Sequence, residues 1–357
     1  MTTAKDWGDR RKEGTLPADR AIDPKAEAER IAVARIPRMS DAINAAGKLV
    51  SQGPQPNPLR TGFDELDAGL KRLGPKEFTM LAADSGIGKS TIATQIAFHV
   101  AACGHGVVYL NLEMSEEMYG LRTAANYMQI ATQKAAGHQL TREEHTALTV
   151  GFSTLYEPAK HIALGNRKEH RTIPAIKQFC AEAARVLAEE GYPVKLVVVD
   201  HILQVTVNAK NDKDAEGKAR SDLMKDLGES LNVHVLALVH VTRDGSKGGA
   251  MPTKNQLASS AWFDRDPDNI LVFHQKRNAD GTFSASPAVL SCQKARWGEP
   301  FAVELEYRKG FFYPWSLEPR AQKATHAPPL ASAPARAHVE SPSPAQYLDD
   351  NPLTDGL

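Results

Sequence analysis

The sequence predicts an α/β fold, a mainly parallel sheet flanked by helices and closed by a C-terminal β-hairpin. Three observations carry that expectation. An apolar run at 78–82 passes through a small-residue loop and Gly88-Lys89-Ser90 into a helical pattern at 91–102. A near-continuous apolar run at 194–199 ends in Asp200, as expected of a strand covered on both faces. Strand and helix patterns then alternate from 59 to 317, the order that yields parallel strands joined by crossover helices.

Taken in order, residues 1–58 are charged and poor in large apolar side chains. A helix is expected over 24–36, and Ser40 is placed to cap a second one carrying Ile43, Ala46, Leu49 and Val50 on one face. Gly53-Pro54-Gln55-Pro56-Asn57-Pro58 reads as a stiff linker. Within 59–317, strands are expected at 106–112, 194–199, 233–241 and 269–274, with 287–293 and 301–307 as the terminal hairpin. Ser115 followed by Glu116 and Glu117 starts one helix, and Thr141 with Glu144 makes a capping box for another. Pro174 opens a helix running to about 190, and a further one is expected over 219–231. Residues 318–357 hold seven prolines and eight alanines, a composition that buries too little apolar surface to fold. That tail is expected to be disordered.

The chain has 357 residues with 43 basic and 43 acidic side chains, so no global field attracts nucleic acid. Cys103, Cys180 and Cys292 lack metal-ligand spacing and read as buried thiols of a reducing compartment. There is no secretory leader and no run of 18 apolar residues, so a cytoplasmic, non-membrane protein is expected.

The chemistry concentrates at strand ends. Ala83, Asp84, Ser85, Gly86, Ile87, Gly88, Lys89 and Ser90 form a strand–loop–helix with small residues that let backbone N–H groups turn toward an anion. This is a P-loop pattern with Ala83 in place of its first glycine. It implies ATP as ligand, Lys89 on the β/γ-phosphates and Ser90 on Mg²⁺. Asp200 at a strand's carboxyl end is the companion Mg²⁺ ligand expected of such a site. Glu113, just after the 106–112 strand, is either a base for the attacking water or a solvated acid favoured by the next helix. His240, ending another strand, is either a γ-phosphate contact or a satisfied buried histidine.

Lys210, Lys213, Lys218 and Arg220 are expected on one loop and Lys247 and Lys254, with Arg243, on another. Two basic loops at one end of a sheet suit a phosphate backbone. Asp212, Asp214 and Glu216 dilute the first, neither loop has an aromatic for stacking, and plain solvated loops are the other reading. Lys294 and Arg296 alternate near the hairpin turn, either guarding an edge strand or reaching a neighbouring subunit's nucleotide.

Several motifs resemble one family. Thr61-Gly62-Phe63-Asp64-Glu65-Leu66-Asp67, the 83–90 loop, Leu112-Glu113-Met114-Ser115, Asp200-His201-Ile202-Leu203-Gln204, Leu231-Asn232-Val233-His234-Val235 and Gln293-Lys294-Ala295-Arg296 resemble motifs of DnaB-type replicative hexameric DNA helicases. They cover the C-terminal, RecA-like motor domain, about residues 59–315. The resemblance implies Glu113 as catalytic base, His240 as γ-phosphate sensor, and Lys294 and Arg296 acting in trans. It implies an ATP-dependent, ring-forming helicase on single-stranded DNA, a homo-hexamer, with a primase, loader or single-strand-binding protein as further partners. Two departures stand out. The family's primase-docking N-terminal domain has no counterpart in the 58 residues before the motor. Gln256-Leu257-Ala258-Ser259-Ser260-Ala261 stands where the family has Asp-Leu-Arg-Glu-Ser-Gly. A RecA-like strand-exchange protein and a regulatory or loader ATPase are the alternative readings.

Overall fold

The computed structural model describes residues 38–51, 59–209, 212–242, 251–257, 262–276, 278, 287–308 and 311–314. The expected 24–36 helix and the 318–357 tail lie outside them. The chain divides into two units, 1–57 and 58–357. In the first, one helix is described, α1 (Met39–Ser51). It begins one residue before Ser40, so that serine sits in the first turn rather than at the cap. Ile43 is exposed on it.

The second unit begins with α2 (Asp64–Leu70), β1 (Phe78–Ala83), α3 (Lys89–Ala102) and β2 (Gly106–Asn111). After these come α4 (Glu116–Tyr127), α5 (Thr132–Ala136), α6 (Arg142–Ala159) and β3 (Ile162–Asn166). They are followed by α7 (Ile173–Glu189), β4 (Val194–Asp200), α8 (Lys213–Leu231) and β5 (His234–His240). Last are α9 (Trp262–Arg265), β6 (Asn269–His274), β7 (Ala288–Lys294), β8 (Phe301–Arg308) and β9 (Phe311–Pro314). Among the described residues the strands form one sheet in the order β3-β2-β4-β5-β1-β6-β7-β8-β9. The first six strands pair in parallel, and β7 to β9 run antiparallel.

Both faces of β1 are apolar because both are covered. Leu81 and Ala83 join the core under α3, with Ile92, Ile96 and Val100. Phe78, Met80 and Ala82 point the other way, into the core of α7 and α8 with Ile176, Leu223 and Leu227. Burying each such large side chain contributes roughly 1.5–3 kcal/mol, which makes β1 and β4 the mechanical base of the sheet. A third, smaller cluster, including Ala125, Leu148 and Leu155, ties α4 to α6.

In the second unit the capping signals form as the sequence predicts. Ser115 accepts from Met118 N, Thr141 and Glu144 make a reciprocal box, and Pro174 follows Thr172, which caps α7. The terminal hairpin forms and gains β9 as an extra strand. β3 escapes the pattern because it is a short, half-buried edge strand whose Gly165 lies against Leu110 and Phe179.

A second expectation is corrected. The polar stretch expected as a loop through Arg220 is helix from Lys213, six residues earlier than position 219. Asp212 caps it, accepting from Asp214 N and Ala215 N, and Asp214 and Glu216 occupy the first turn. The acids expected to dilute a basic patch are the helix's own N-terminal signal, stabilised by its dipole.

Among the described residues, no helix is long and apolar enough to cross a membrane. At Gly106, where β2 begins, an added Cβ would stand 2.4 Å from the Tyr192 carbonyl oxygen. Gly106→Ala is therefore expected to lower unfolding free energy by about 1–3 kcal/mol in urea titration. Wild-type stability in that variant would contradict the packing of β2 against the 192–194 segment.

Candidate active site

Parallel register builds the site. Ala83 of β1 lies opposite His240 of β5, and Asn111 of β2 opposite Asp200 of β4. The carboxyl ends of four adjacent strands therefore share one edge of the sheet, where ligands of open α/β sheets bind.

At β1 the chain turns through the 84–88 loop. Gly86 (φ 78°) and Gly88 (φ 108°) are in the left-handed region that other residues avoid. Gly88 is constrained twice, since an added Cβ would stand 2.6 Å from the Phe312 ring. It is also the residue before α3, a 14-residue helix whose free N–H groups and dipole face the loop.

Lys89, the first residue of α3, is buried. Its Nζ lies 3.3 Å from Asp84 O and 3.1 Å from His240 Nδ1. Burial lowers its pKa, opposed by the charges of Asp200, Glu113 and Asp84. An ammonium only donates, so His240 accepts on Nδ1 and carries its proton on Nε2.

Asp200 is buried at the end of β4. Its Oδ2 accepts from the Tyr109 hydroxyl at 3.0 Å, while Oδ1 is buried without a hydrogen-bond partner among the described residues. Burial, and to a lesser degree the Glu113 charge, push its pKa up, against the Ser90 and Tyr109 hydroxyls and the Lys89 ammonium. A buried carboxylate oxygen with no donor, beside a hydroxyl, fits a cation site.

Glu113 follows β2 in a loop shaped by Asn111, whose side chain brackets Met114 through Nδ2 to Met114 O (3.1 Å) and Oδ1 from Met114 N (3.2 Å). Its Oε1 is 2.8 Å from His201 Nε2 and 3.8 Å from His240 Nε2. The His201 hydrogen bond, then that of His240, hold the Glu113 carboxyl far below the usual carboxylate range, against a smaller opposing effect of burial.

The Glu113, His201 and His240 donor atoms lie within 4.8 Å of one another, a spacing a cation could span. The other ring nitrogens argue against one. Ligation through Nε2 leaves a proton on Nδ1 that needs an acceptor. His240 Nδ1 faces the Lys89 ammonium, and His201 Nδ1 is buried without a partner among the described residues.

The structure thus brings Lys89, Ser90, Asp200, Glu113 and His240 together. Lys294 and Arg296 are elsewhere. Lys294 Nζ donates to Asp264 O (3.2 Å) and Arg265 O (2.7 Å), and Arg296 pairs with Asp268. Asp268 accepts from Phe78 N at the start of β1, a strand length from the P-loop, roughly 16 Å.

The basic residues expected on two loops divide differently. Lys210 and Lys247 lie outside the described residues. Lys213 and Lys218 are on α8, where Lys218 pairs with Asp222 at 2.8 Å. Arg220 turns inward, donating from Nε to Val205 O and pairing with Glu216. Lys254, in a short 3₁₀ turn, has its Nζ 3.4 Å from Asp264. Of three neighbours of the site, Tyr109 and Asn111 are not singled out by the sequence, and His201 appears only within the 200–204 motif, without a role. His201 has a signal, its place directly after Asp200.

A cleft of about 850 Å³ opens beside the loop, between Gly86, Thr91, Met114, Arg122, Asn126 and Tyr307.

Comparison with known proteins gives the family and the fold. The family model described as DnaB-like helicase C terminal domain matches residues 58–313. A probable plasmid replicative DNA helicase of Chlamydia muridarum is 22% identical over 251 residues, 70% of this chain and 52% of that protein. The replicative DNA helicase DnaB of Geobacillus stearothermophilus is 24% identical over 276 residues, 76% of this chain and 59% of that protein. The chain thus spans about half the length of such relatives. A DnaB-like replicative helicase, solved in a study of its interactions with primase, superposes with a TM-score of 0.65 at 19% identity, covering 82% of this chain and 71% of that one. A solved ATPase domain gives 0.67, also at 19% identity, covering 79% of this chain and all of that one. At that identity the likeness is one of fold, the RecA-like ATPase core.

The Glu113 clamp has a pH signature. A carboxyl held below its ordinary value of 4.5 stabilises the fold above that pH, and the contribution is lost as pH falls further toward its folded value. The stability difference between wild type and Glu113→Gln, from urea midpoints, is expected to be largest near neutrality and to shrink below about pH 4.5. A difference that does not change with pH would contradict the clamp.

Proposed function

The chain belongs to the DnaB-like helicase C-terminal domain family, and from that premise we propose that it is an ATP-driven, ring-forming motor that moves on single-stranded DNA and separates the duplex. One observation carries the reading: Lys89, Asp200, Glu113 and His240 converge at the aligned ends of four neighbouring strands.

The backbone N–H groups of the 84–90 loop and the start of α3 receive the phosphates. Lys89 leaves His240 and Asp84 O for the β/γ-phosphates, where its charge is better compensated. Base and ribose occupy the cleft between Arg122 and Tyr307, whose volume has room for both. Ser90 and Asp200 would hold Mg²⁺, consistent with the unpartnered, buried Asp200 Oδ1. Such an ion supplies charge neutralisation on the phosphates. Glu113, ionised and half exposed, orients a water and takes its proton as the oxygen attacks the γ-phosphorus, while the bond to the β–γ bridging oxygen breaks and ADP leaves with that oxygen. His240, freed from Lys89, turns its N–H toward the γ-phosphate and senses its loss.

Lys294 and Arg296 stand too far from their own P-loop to serve it, which supports action on a neighbouring subunit in a homo-hexamer. Among the basic residues expected to touch DNA, Lys213, Lys218 and Lys254 have side chains exposed enough to do so. Arg220 holds α8 in place instead. A primase, loader or single-strand-binding protein is the expected class of further partner.

The test is strand displacement on a forked duplex with ATP. Wild type is expected to unwind and Lys89→Ala to fail; ATPase without any response to single-stranded DNA would favour a regulatory ATPase and overturn the motor. Mixing Lys89→Ala with Arg296→Ala is expected to recover part of the ATPase activity that each lacks alone. No recovery on mixing would contradict completion of the site in trans.

A further inference from the structure

We infer that His201 is a positioning residue for the reaction, holding the Glu113 carboxylate through its Nε2–H. The inference rests on the hydrolytic reading of the site and adds a residue that none of the site motifs assigns.

The geometry is specific. His201 is 4% exposed, and its Nε2 lies 2.8 Å from Glu113 Oε1, the shortest contact Glu113 makes among the described residues. Its Nδ1 is buried without a partner among those residues. A neutral imidazole carries one proton. Placing it on Nε2 gives a hydrogen bond to a carboxylate, whereas on Nδ1 it would face nothing and leave two lone pairs opposed across 2.8 Å. The His240 ring packs edge-on against it, with centroids 4.6 Å apart.

Glu113 therefore has two imidazole N–H groups aimed at it, from His201 at 2.8 Å and from His240 at 3.8 Å. The two differ in what else they touch. His240 is also bonded to Lys89, so its hold on Glu113 changes when phosphates draw Lys89 away. His201 has no such second tie among the described residues and sits in the β4 turn next to Asp200. It is the fixed post against which the base is oriented, while His240 is the movable one. A carboxylate on a loop, half exposed, has rotamer freedom to lose. A buried donor on Oε1 removes that freedom and leaves Oε2 out of the contact.

The experiment compares His201→Gln with His201→Asn in ATPase assays on the full chain, with nucleotide binding and thermal melting measured alongside. The Gln amide nitrogen is as many bonds from Cβ as His Nε2, so it reaches Glu113. The Asn amide nitrogen matches Nδ1 and falls short. His201→Asn is expected to lose about 10–100-fold in kcat with KM and nucleotide Kd within about threefold, the size seen when a supporting hydrogen bond to a functional ligand is removed. His201→Gln is expected to stay within about fivefold of wild type at an equal melting temperature. Equal kcat in wild type and Asn would overturn the inference, as would a Gln variant as slow as Asn while melting normally. An active wild type with these failures removes only the His201 role. A wild type that hydrolyses no ATP removes the hydrolytic reading itself, and the inference with it.

Discussion

The parallel register of β2, β4, β5 and β1 is the constraint on which everything functional depends. Each strand ends in a residue or loop that is inert alone: a glycine turn, a glutamate, an aspartate, a histidine. Because Ala83 is level with His240 and Asn111 with Asp200, the four ends become one surface. A slip of one residue in any pair would carry the chemistry to the other face of the sheet and bury polar groups in the cores. The apolar layers on both faces, with Leu81 and Met80 fully buried on opposite sides, hold that register.

That surface concentrates charge where water is scarce. Lys89 and Asp200 are both buried, a costly arrangement unless each has partners. The partners are internal: Asp84 O and His240 for Lys89, Tyr109 for Asp200, His201 for Glu113. The contacts of Glu113 favour its ionised form, whereas burial works against the charged forms of Lys89 and Asp200. Asp200 Oδ1 is the clearest deficit, a buried acceptor awaiting a donor or a cation. In the proposed cycle the phosphates take Lys89, and His240 is released by the same movement. One substitution of partners thus links binding to the position of the sensor. In the role proposed for His201, its Nε2–H holds the Glu113 carboxylate through that exchange.

Much of this is legible in the sequence because strand-end chemistry is local. The run 194–199 and Asp200, the glycines before Lys89, and the caps at Ser115 and Thr141 each declare themselves within a few residues. What escapes reading depends on contacts between distant segments. Tyr109 reads as one more apolar strand residue until β2 and β4 pair and set its hydroxyl on Asp200. His201 gains meaning only when Glu113, from another strand, arrives beside it. The β3 edge strand is short and partly exposed, so neither alternation nor an apolar run marks it. The start of α8 misleads for a local reason, since Asp212, Asp214 and Glu216 read as charges in a loop rather than as cap and first turn. Arg220 follows from that error, and its guanidinium serves the Val205 carbonyl.

The central claim is that Glu113 is the base of an ATP-hydrolysing site, and one variant tests it most directly. Glu113→Gln keeps the size and one acceptor of the side chain and removes its ability to take a proton. The account predicts ATP binding within a few-fold of wild type and hydrolysis slowed by about 10²–10⁴-fold, the usual worth of a positioned general base. Turnover at the wild-type rate in a variant that binds ATP normally would contradict it.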